Sequence, residues 1–316
     1  MARSGSTDFT ITATDIIRKA LALVAERAAE IPLTNSEITD GLQSLNILAK
    51  AYQAQGLHLW KRDEGILFLD AGVSSYLLGP QGQQATLIDD FINTELSTAA
   101  VITATALVVD STTGMAASDF IGIELDDGTR QWTTIVSVDS STGLTITSGL
   151  TAAAAIDSTI FTYTTILERP LRIESSRRAT IGSDSDIELN KWSRQEYFAQ
   201  VNKASQGVPT NFYYTPSLDN GEIFIWQTAA NVKQVLKFTF QRTIEDFDNV
   251  ANNPDFPIEW SRALIWNLAL DIGPEYSTPE SKMARIERKA AEYLDDMLGW
   301  DEEITSLNIQ PRFYRG

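Results

Sequence analysis

The chain has 316 residues, of which 42 are acidic and 25 basic, so its net charge is −17. Hydrophobic residues make up 43% of the sequence, which suffices for a sizeable core and excludes wholesale disorder. Cysteine is absent and His58 is the one histidine, which excludes disulfides, thiolate nucleophiles, zinc–thiolate sites and multi-histidine metal centres.

Residues 1–60 predict a pair of helices. Segments 12–15 and 34–37 both show the capping-box pattern, and each is followed by apolar residues at helical spacing. Pro32 is expected to end the first helix and Gly56 the second.

Residues 61–84 and 163–250 predict a central antiparallel β region. Aromatic and β-branched runs such as 222–226 and 235–240 are typical of strands, and glycine- and proline-containing turns separate them.

Residues 85–162 differ from their surroundings and predict an inserted, acidic, Thr-rich β-domain. They hold 24 Ser or Thr, ten acidic residues and one arginine, so they carry −9 of the net charge. The segment 108–114 recurs in similar form at 137–143, and Asp127-Gly128 indicates a hairpin turn. We expect this domain to fold by itself, so that joining Gln84 to Tyr163 leaves a folded protein.

Residues 251–300 predict a second pair of helices, and 301–316 a C-terminal docking tail. Neither helix pair could bury its apolar stripe alone, so all four helices are expected to form one bundle. The predicted fold is α+β, in which this bundle of N- and C-terminal helix pairs accompanies the central antiparallel β region and the inserted small β-domain.

Enzyme signatures are absent. The sequence contains neither of the two nucleotide-binding patterns, G-x-x-x-x-G-K-[ST] and G-x-G-x-x-G. Nothing in it marks a nucleophile or an orienting acid that could act with His58 as a catalytic base. Asp126 and Asp127 with Glu124 could ligate Ca²⁺, but the calcium-loop spacing is missing and a hairpin turn explains them. We therefore expect no catalytic residue, no cofactor and no metal site.

Membrane and nucleic-acid partners are also disfavoured. The start of the sequence has no apolar signal region, and the most apolar stretch, 99–109, is too short to span a bilayer. The acidic balance disfavours tight wrapping of nucleic acid, which requires clustered Lys and Arg.

Two groups of residues are candidates for protein contacts. A basic cluster could contact a neighbouring subunit, although a solvated face with neutralising carboxylates explains it too. Its members are Arg169, Arg172, Arg177, Arg178, Lys191 and Arg194. The tail residues Arg312, Phe313, Tyr314 and Arg315 place an aromatic pair between arginines, which is typical of an interface anchor.

The order of elements also carries a resemblance. The first motif is a Leu-Asn…aromatic…Gly…Trp run, formed by Leu45, Asn46, Ala49, Tyr52, Gly56 and Trp60. Two β signatures follow at 75–79 and 169–173, and then a Gly-Val-Pro turn at 207–209 before Tyr213 and Tyr214. The last motif is a third helix with its exit, formed by 257–260, Ala263, Leu264, 267–269 and 274–276. Through them the chain resembles the head-to-tail adaptors of short-tailed bacteriophages, also called tail accessory factors or packaged-DNA stabilisation proteins. The resemblance covers about 1–80 and 166–316, and the minimal family members lack 85–162.

The resemblance implies a structural role in a virion. The protein would form a homo-oligomeric ring, usually a dodecamer, under the portal protein at the head–tail junction. Its tail residues Arg312, Phe313, Tyr314 and Arg315 would dock on the portal, as C-terminal segments do in this family. Tail nozzle or fibre proteins would attach below, genomic DNA would pass through without sequence-specific contact, and assembly would take place in the host cytoplasm. An acidic channel wall would repel phosphate and let DNA slide.

Two other functions remain open. One is a virion decoration or tail protein whose Thr-rich β-domain binds a host glycan, and the other is a tail-associated hydrolase.

Overall fold

The computed structural model describes residues 5–25, 31–54, 59–183 and 185–301. The chain divides into two compact units. A helical unit combines Met1–Lys61 with Ile244–Gly316, and a β unit comprises Arg62–Thr243. Within the described residues no helix is both long enough and apolar enough to span a membrane.

The described residues form five α-helices and seventeen strands, so the fold is mixed α and β with mostly antiparallel sheets. The helices are α1 (Ala13–Val24), α2 (Asn35–Ala54), α3 (Arg194–Ala199), α4 (Ser261–Ile272) and α5 (Glu280–Trp300). The strands are β1 (Arg62–Phe68), β2 (Ser75–Leu78), β3 (Ala85–Leu87), β4 (Phe91–Glu95), β5 (Ala106–Val108), β6 (Phe120–Glu124), β7 (Arg130–Val138), β8 (Gly143–Ile146), β9 (Thr159–Tyr163), β10 (Arg172–Thr180), β11 (Ile187–Glu188), β12 (Asn190–Lys191), β13 (Gln206–Gly207), β14 (Asn211–Pro216), β15 (Gly221–Trp226), β16 (Thr228–Ala229) and β17 (Gln234–Gln241).

The helical unit has one hydrophobic core to which α1, α2, α4 and α5 all contribute. Both predicted capping boxes are confirmed: Thr12 and Asp15 cap α1 reciprocally, and Thr34 and Glu37 do the same before α2. Helix α1 ends at Val24, earlier than the predicted end at Pro32, and α5 ends at Trp300, the last residue of the segment 251–300 that was predicted to be helical.

Helix α2 binds the segment in which the chain returns from the β unit. Asn46 accepts a hydrogen bond from the Phe247 N–H (2.8 Å) and donates one to the Phe247 carbonyl (3.2 Å). Lys50 donates to the Ile244 carbonyl (2.6 Å), and Gln53 accepts from the Ile244 N–H (2.9 Å). The helical unit therefore resumes at Ile244, before the predicted boundary at 251.

Two sheets form a sandwich in the β unit. The five-stranded sheet has the order β11-β10-β17-β1-β3, and the four-stranded sheet has the order β12-β14-β15-β2. Side chains of β17 alternate, so that Leu236, Phe238 and Phe240 enter the core that the two sheets share, whereas Val235 points to the other face. A further pair, β13 with β16, is parallel.

The remaining six strands form a small closed barrel in the order β4-β9-β6-β7-β8-β5. The outer strands meet at a bridge between Leu96 and Val109, where the Asp110 N–H donates to the Glu95 carbonyl (3.0 Å). The barrel has its own apolar core. Its two similar loops, 108–114 and 137–143, pack on one another, since the Thr112 N–H donates to a carbonyl of the second loop.

The boundary of the inserted domain differs from the prediction of 85–162. Strand β3, Ala85–Leu87, pairs with β1 in the sandwich, and the barrel begins at Phe91. Residue 85 is not the start because Ala85 lies in the sandwich core and Thr86 donates a hydrogen bond to the Thr165 carbonyl (2.8 Å).

The barrel packs on the sandwich through an aromatic seam. We define the seam as Phe161 and Tyr163 of β9 against Ile66, Phe68 and Val235 of the sandwich. The rings of Phe68 and Phe161 stack with centroids 4.4 Å apart. The inserted domain therefore has its own core and also covers an apolar face of the sandwich.

Candidate interaction surfaces

The predicted basic cluster does not form a single surface. Arg177 donates both to Glu64, with N–O distances of 2.7 and 2.8 Å, and to Asp186 at 3.2 Å. Lys237, directly opposite on β17, also pairs with Asp186 at 2.9 Å. The hydrogen bond and charge of Glu64 raise the pKa of Arg177. Neutralising carboxylates from the same chain thus hold this arginine on a sheet face.

The other members of the cluster make no ion pair within the described residues. Lys191 donates to the Ile173 carbonyl (2.6 Å), and burial, together with the nearby Arg172, lowers its pKa. Arg194 lies over the ring of Phe198, 5.2 Å from its centroid. Lys191 lies on β12, the edge strand of the four-stranded sheet, and Arg194 is the first residue of α3.

Arg169 and Arg178 have other surroundings. Arg169 is half-buried next to Pro170, whose carbonyl accepts a hydrogen bond from Tyr214. Arg178 lines a cavity of about 310 Å³ together with Ile187 and Val208. The six residues therefore occupy four separate environments.

Helix α3 covers an aromatic patch that the sequence analysis did not identify. Tyr197 of α3 is buried against Phe224 (centroids 4.9 Å apart), and Phe224 stacks on Tyr213 (5.6 Å). The ring of Phe198 remains 49% exposed. A sequence signal existed, because Ser193 and Glu196 form a capping box inside a region that reads as β.

Arg130, the one basic residue of the inserted domain, lies beside the seam and is 7% exposed. Its guanidinium carbon is 5.1 Å from the Phe161 ring centroid and 5.7 Å from that of Phe68, and it donates to the Val232 carbonyl. Burial lowers the pKa of Arg130, and Asp70 partly offsets that effect. Sequence reasoning missed this position because a lone arginine after a hairpin turn is typical of a solvated surface.

The acidic hairpin is a turn, as predicted. Gly128 has a φ of +80°, which favours glycine, and Asp127 accepts hydrogen bonds from the N–H and the hydroxyl of Thr129 (3.0 and 2.6 Å). Asp126 accepts from the Ala155 N–H (2.8 Å). Within the part of the chain that the structure describes, no group of three His, Asp or Glu is placed to hold a metal ion.

Three predictions concern residues that lie outside the described ranges. They are the helix end at Gly56, His58, and the tail residues Arg312, Phe313, Tyr314 and Arg315.

Comparisons with known proteins identify no family. No family model matches the chain, and no curated protein matches it. Among solved structures, one neighbour is VP17, a capsid protein of bacteriophage P23-77, which is 12% identical with a TM-score of 0.12. The alignment covers 57% of this chain and 82% of that chain. A TM-score this low carries no argument about fold or function.

Proposed function

We propose that this protein is a head-to-tail adaptor of a tailed bacteriophage, in which the four terminal helices form the adaptor bundle. The observation that supports the proposal is the chain path: segments from both ends build one helical unit, and the β unit is an excursion between Lys61 and Ile244. The resemblance described above implies this arrangement.

Residues that carry the resemblance make the contacts that hold the helical unit together. Asn46 accepts a hydrogen bond from the Phe247 N–H and donates one to the Phe247 carbonyl, in the segment that returns from the β unit. Tyr52 packs edge-on against Trp260 with ring centroids 5.8 Å apart. Asn267 of α4 donates to the carbonyls of Ala263 (3.0 Å) and Ala290 (3.2 Å), which ties α4 to α5. The motif residues thus have a physical reason to occur in this order.

The rest of the proposal concerns assembly. The protein would form a ring, a dodecamer as the resemblance implies, that binds the portal above and nozzle or fibre proteins below, at the head–tail junction of the virion. A net charge of −17 supports passage of DNA, because an acidic wall repels phosphate.

The test is to mix the purified protein with the portal complexes of candidate phages and to image the mixtures. We expect class averages with a ring of this protein coaxial with the portal. A folded protein that binds none of the portals, but binds host surface polysaccharide, would overturn the proposal in favour of a decoration protein.

A further inference from the structure

A groove on the helical unit runs between α1 and α4. Its volume is about 480 Å³, and we call it the α1/α4 groove. Its lining is Phe9, Ile11, Lys19, Ala22, Leu23, Ser261, Arg262, Ile265 and Trp266. A second cavity of about 130 Å³ shares Phe9, Ile11 and Ser261 with it, so the two form one continuous depression.

The groove combines apolar walls with two cations. Phe9, at the edge of the groove, is 69% exposed. Exposure of a large aromatic side chain to water is unfavourable in free energy, so a partner that covers it would be stabilised. Lys19 and Arg262 make no ion pair within the described residues, and Arg262 lies over the Tyr293 ring at 5.2 Å. The groove therefore suits a segment that carries both apolar side chains and carboxylates.

Helix α5 ends close to this groove. Helices α4 and α5 are antiparallel, since Asn267 contacts Ala290 and Arg262 contacts Tyr293. The level of Ser261 is thus reached near residue 295, and Trp300 lies about 7 Å beyond it at 1.5 Å per residue. The chain therefore leaves α5 about 7 Å past the level of Ser261, which lines one end of the groove.

We propose that residues 302–309 of the same chain occupy the α1/α4 groove. This segment supplies both kinds of side chain that the groove requires. Glu302 and Glu303 carry carboxylates for Lys19 and Arg262, and Ile304, Leu307 and Ile309 are apolar. Eight extended residues span about 26 Å, which is ample for the groove. Salt bridges to the two cations would orient the segment, and burial of the apolar side chains would supply most of the affinity.

This inference goes beyond the proposed adaptor function and does not depend on it. It gives the last residues of the sequence, 310–316, a fixed starting point on the helical unit. Docking within one chain also distinguishes it from a contact between ring subunits.

Disulfide trapping in the full chain tests the inference cleanly, because the sequence contains no cysteine. The test variant carries Ala22→Cys and Leu307→Cys, and the control carries Val201→Cys, fully exposed in the β unit, with the same Leu307→Cys. We expect the test pair to form an intrachain disulfide at least tenfold faster than the control. Equal rates, or disulfides only between chains, would overturn the proposal.

A charge exchange provides the second measurement. Lys19→Glu should slow formation of the intrachain disulfide several-fold, because it places a carboxylate opposite Glu302 and Glu303. Adding Glu302→Lys and Glu303→Lys should restore the rate. No slowing, or slowing without restoration, would contradict the proposed contact of Glu302 and Glu303 with Lys19. Because trapping uses the isolated protein, failure to bind a portal would leave its result unaffected.

Discussion

At the scale of single residues, the seam between barrel and sandwich contains an energetic conflict. Asp70 is largely buried, and its Oδ2 accepts a hydrogen bond from Gln84 at 2.6 Å. Its Oδ1 has no hydrogen-bond partner among the described residues. Burial raises the pKa of Asp70 from 3.8 to about 6, and the charge of Arg130 offsets that only partly. The ionised carboxylate is therefore less favourable in the folded state than in the unfolded chain.

This conflict predicts that the stability of the folded protein decreases as the carboxyl group of Asp70 ionises. The folded state holds the Asp70 proton more tightly, so the contribution of Asp70 to stability falls as pH rises from about 4 to about 6, and is constant above that. The Asp70→Asn variant should lack this dependence and should be more stable at pH 7 by up to about 3 kcal/mol. Urea denaturation at several pH values measures both effects.

The matched control is Asp90→Asn, since Asp90 is exposed. It should leave the pH profile unchanged. A destabilised Asp70→Asn variant at pH 7 would mean that attraction between Asp70 and Arg130 outweighs the desolvation of the carboxylate.

Asn46 differs from Asp70 in that both polar atoms of its side-chain amide have a hydrogen-bond partner. Asn46→Ala removes two hydrogen bonds and leaves the backbone groups of Phe247 without them, which should cost about 2–3 kcal/mol. Thermal unfolding followed by far-UV circular dichroism measures the loss. Gln43→Ala, exposed on the same helix, should change stability by less than about 0.5 kcal/mol.

At the scale of elements, local sequence patterns predict local structure well and packing partners poorly. The capping boxes at Thr12 and Thr34 and the turn at Gly128 are confirmed, because each depends on a few neighbouring residues. The seam was missed, since Phe161 and Tyr163 alternate with Ile160 and Thr162 as in any half-buried strand. Alternation shows that one face is buried, but it does not show what covers it.

The same reasoning changes the expected result of removing the inserted domain. Joining Gln84 to Tyr163 would delete β3 and expose Ile66 and Phe68, which the barrel covers. We expect that deletion to aggregate, because an exposed apolar sheet face is an aggregation hazard.

A deletion designed on the structure should behave differently. Joining Asp90 to Thr164 through a short Gly-Ser linker keeps β3, and replacing Ile66, Phe68 and Val235 by threonine makes the exposed face polar. We expect this variant to be soluble, with unchanged helical circular dichroism, whereas the same deletion with the three apolar residues retained should precipitate. Equal solubility of the two deletions would contradict a role of the barrel in covering the sandwich.

At the scale of the whole molecule, the chain separates contacts that build the fold from residues available for assembly. The helical unit binds its returning segment through α2, and the barrel covers an apolar face of the sandwich. Both contacts stabilise the fold of the single chain, so we expect both to remain intact during assembly. The last residues, 310–316, reverse the charge of the acidic segment before them, with Arg312 and Arg315 on either side of Phe313-Tyr314. Such a sequence is typical of an anchor that fills a pocket and meets carboxylates.

Two truncations test whether these residues dock on a portal. A chain that ends at Ile309 keeps the segment proposed for the α1/α4 groove and loses the aromatic anchor, whereas a chain that ends at Asp301 loses both. Each should retain the thermal stability of the β unit. We expect both truncations to weaken portal association at least tenfold in co-sedimentation, and only the shorter chain to expose Phe9 and Trp266, measured as increased binding of a hydrophobic dye. If the chain ending at Ile309 binds the portal with unchanged affinity, the anchor prediction is wrong and the helical unit must supply the contact.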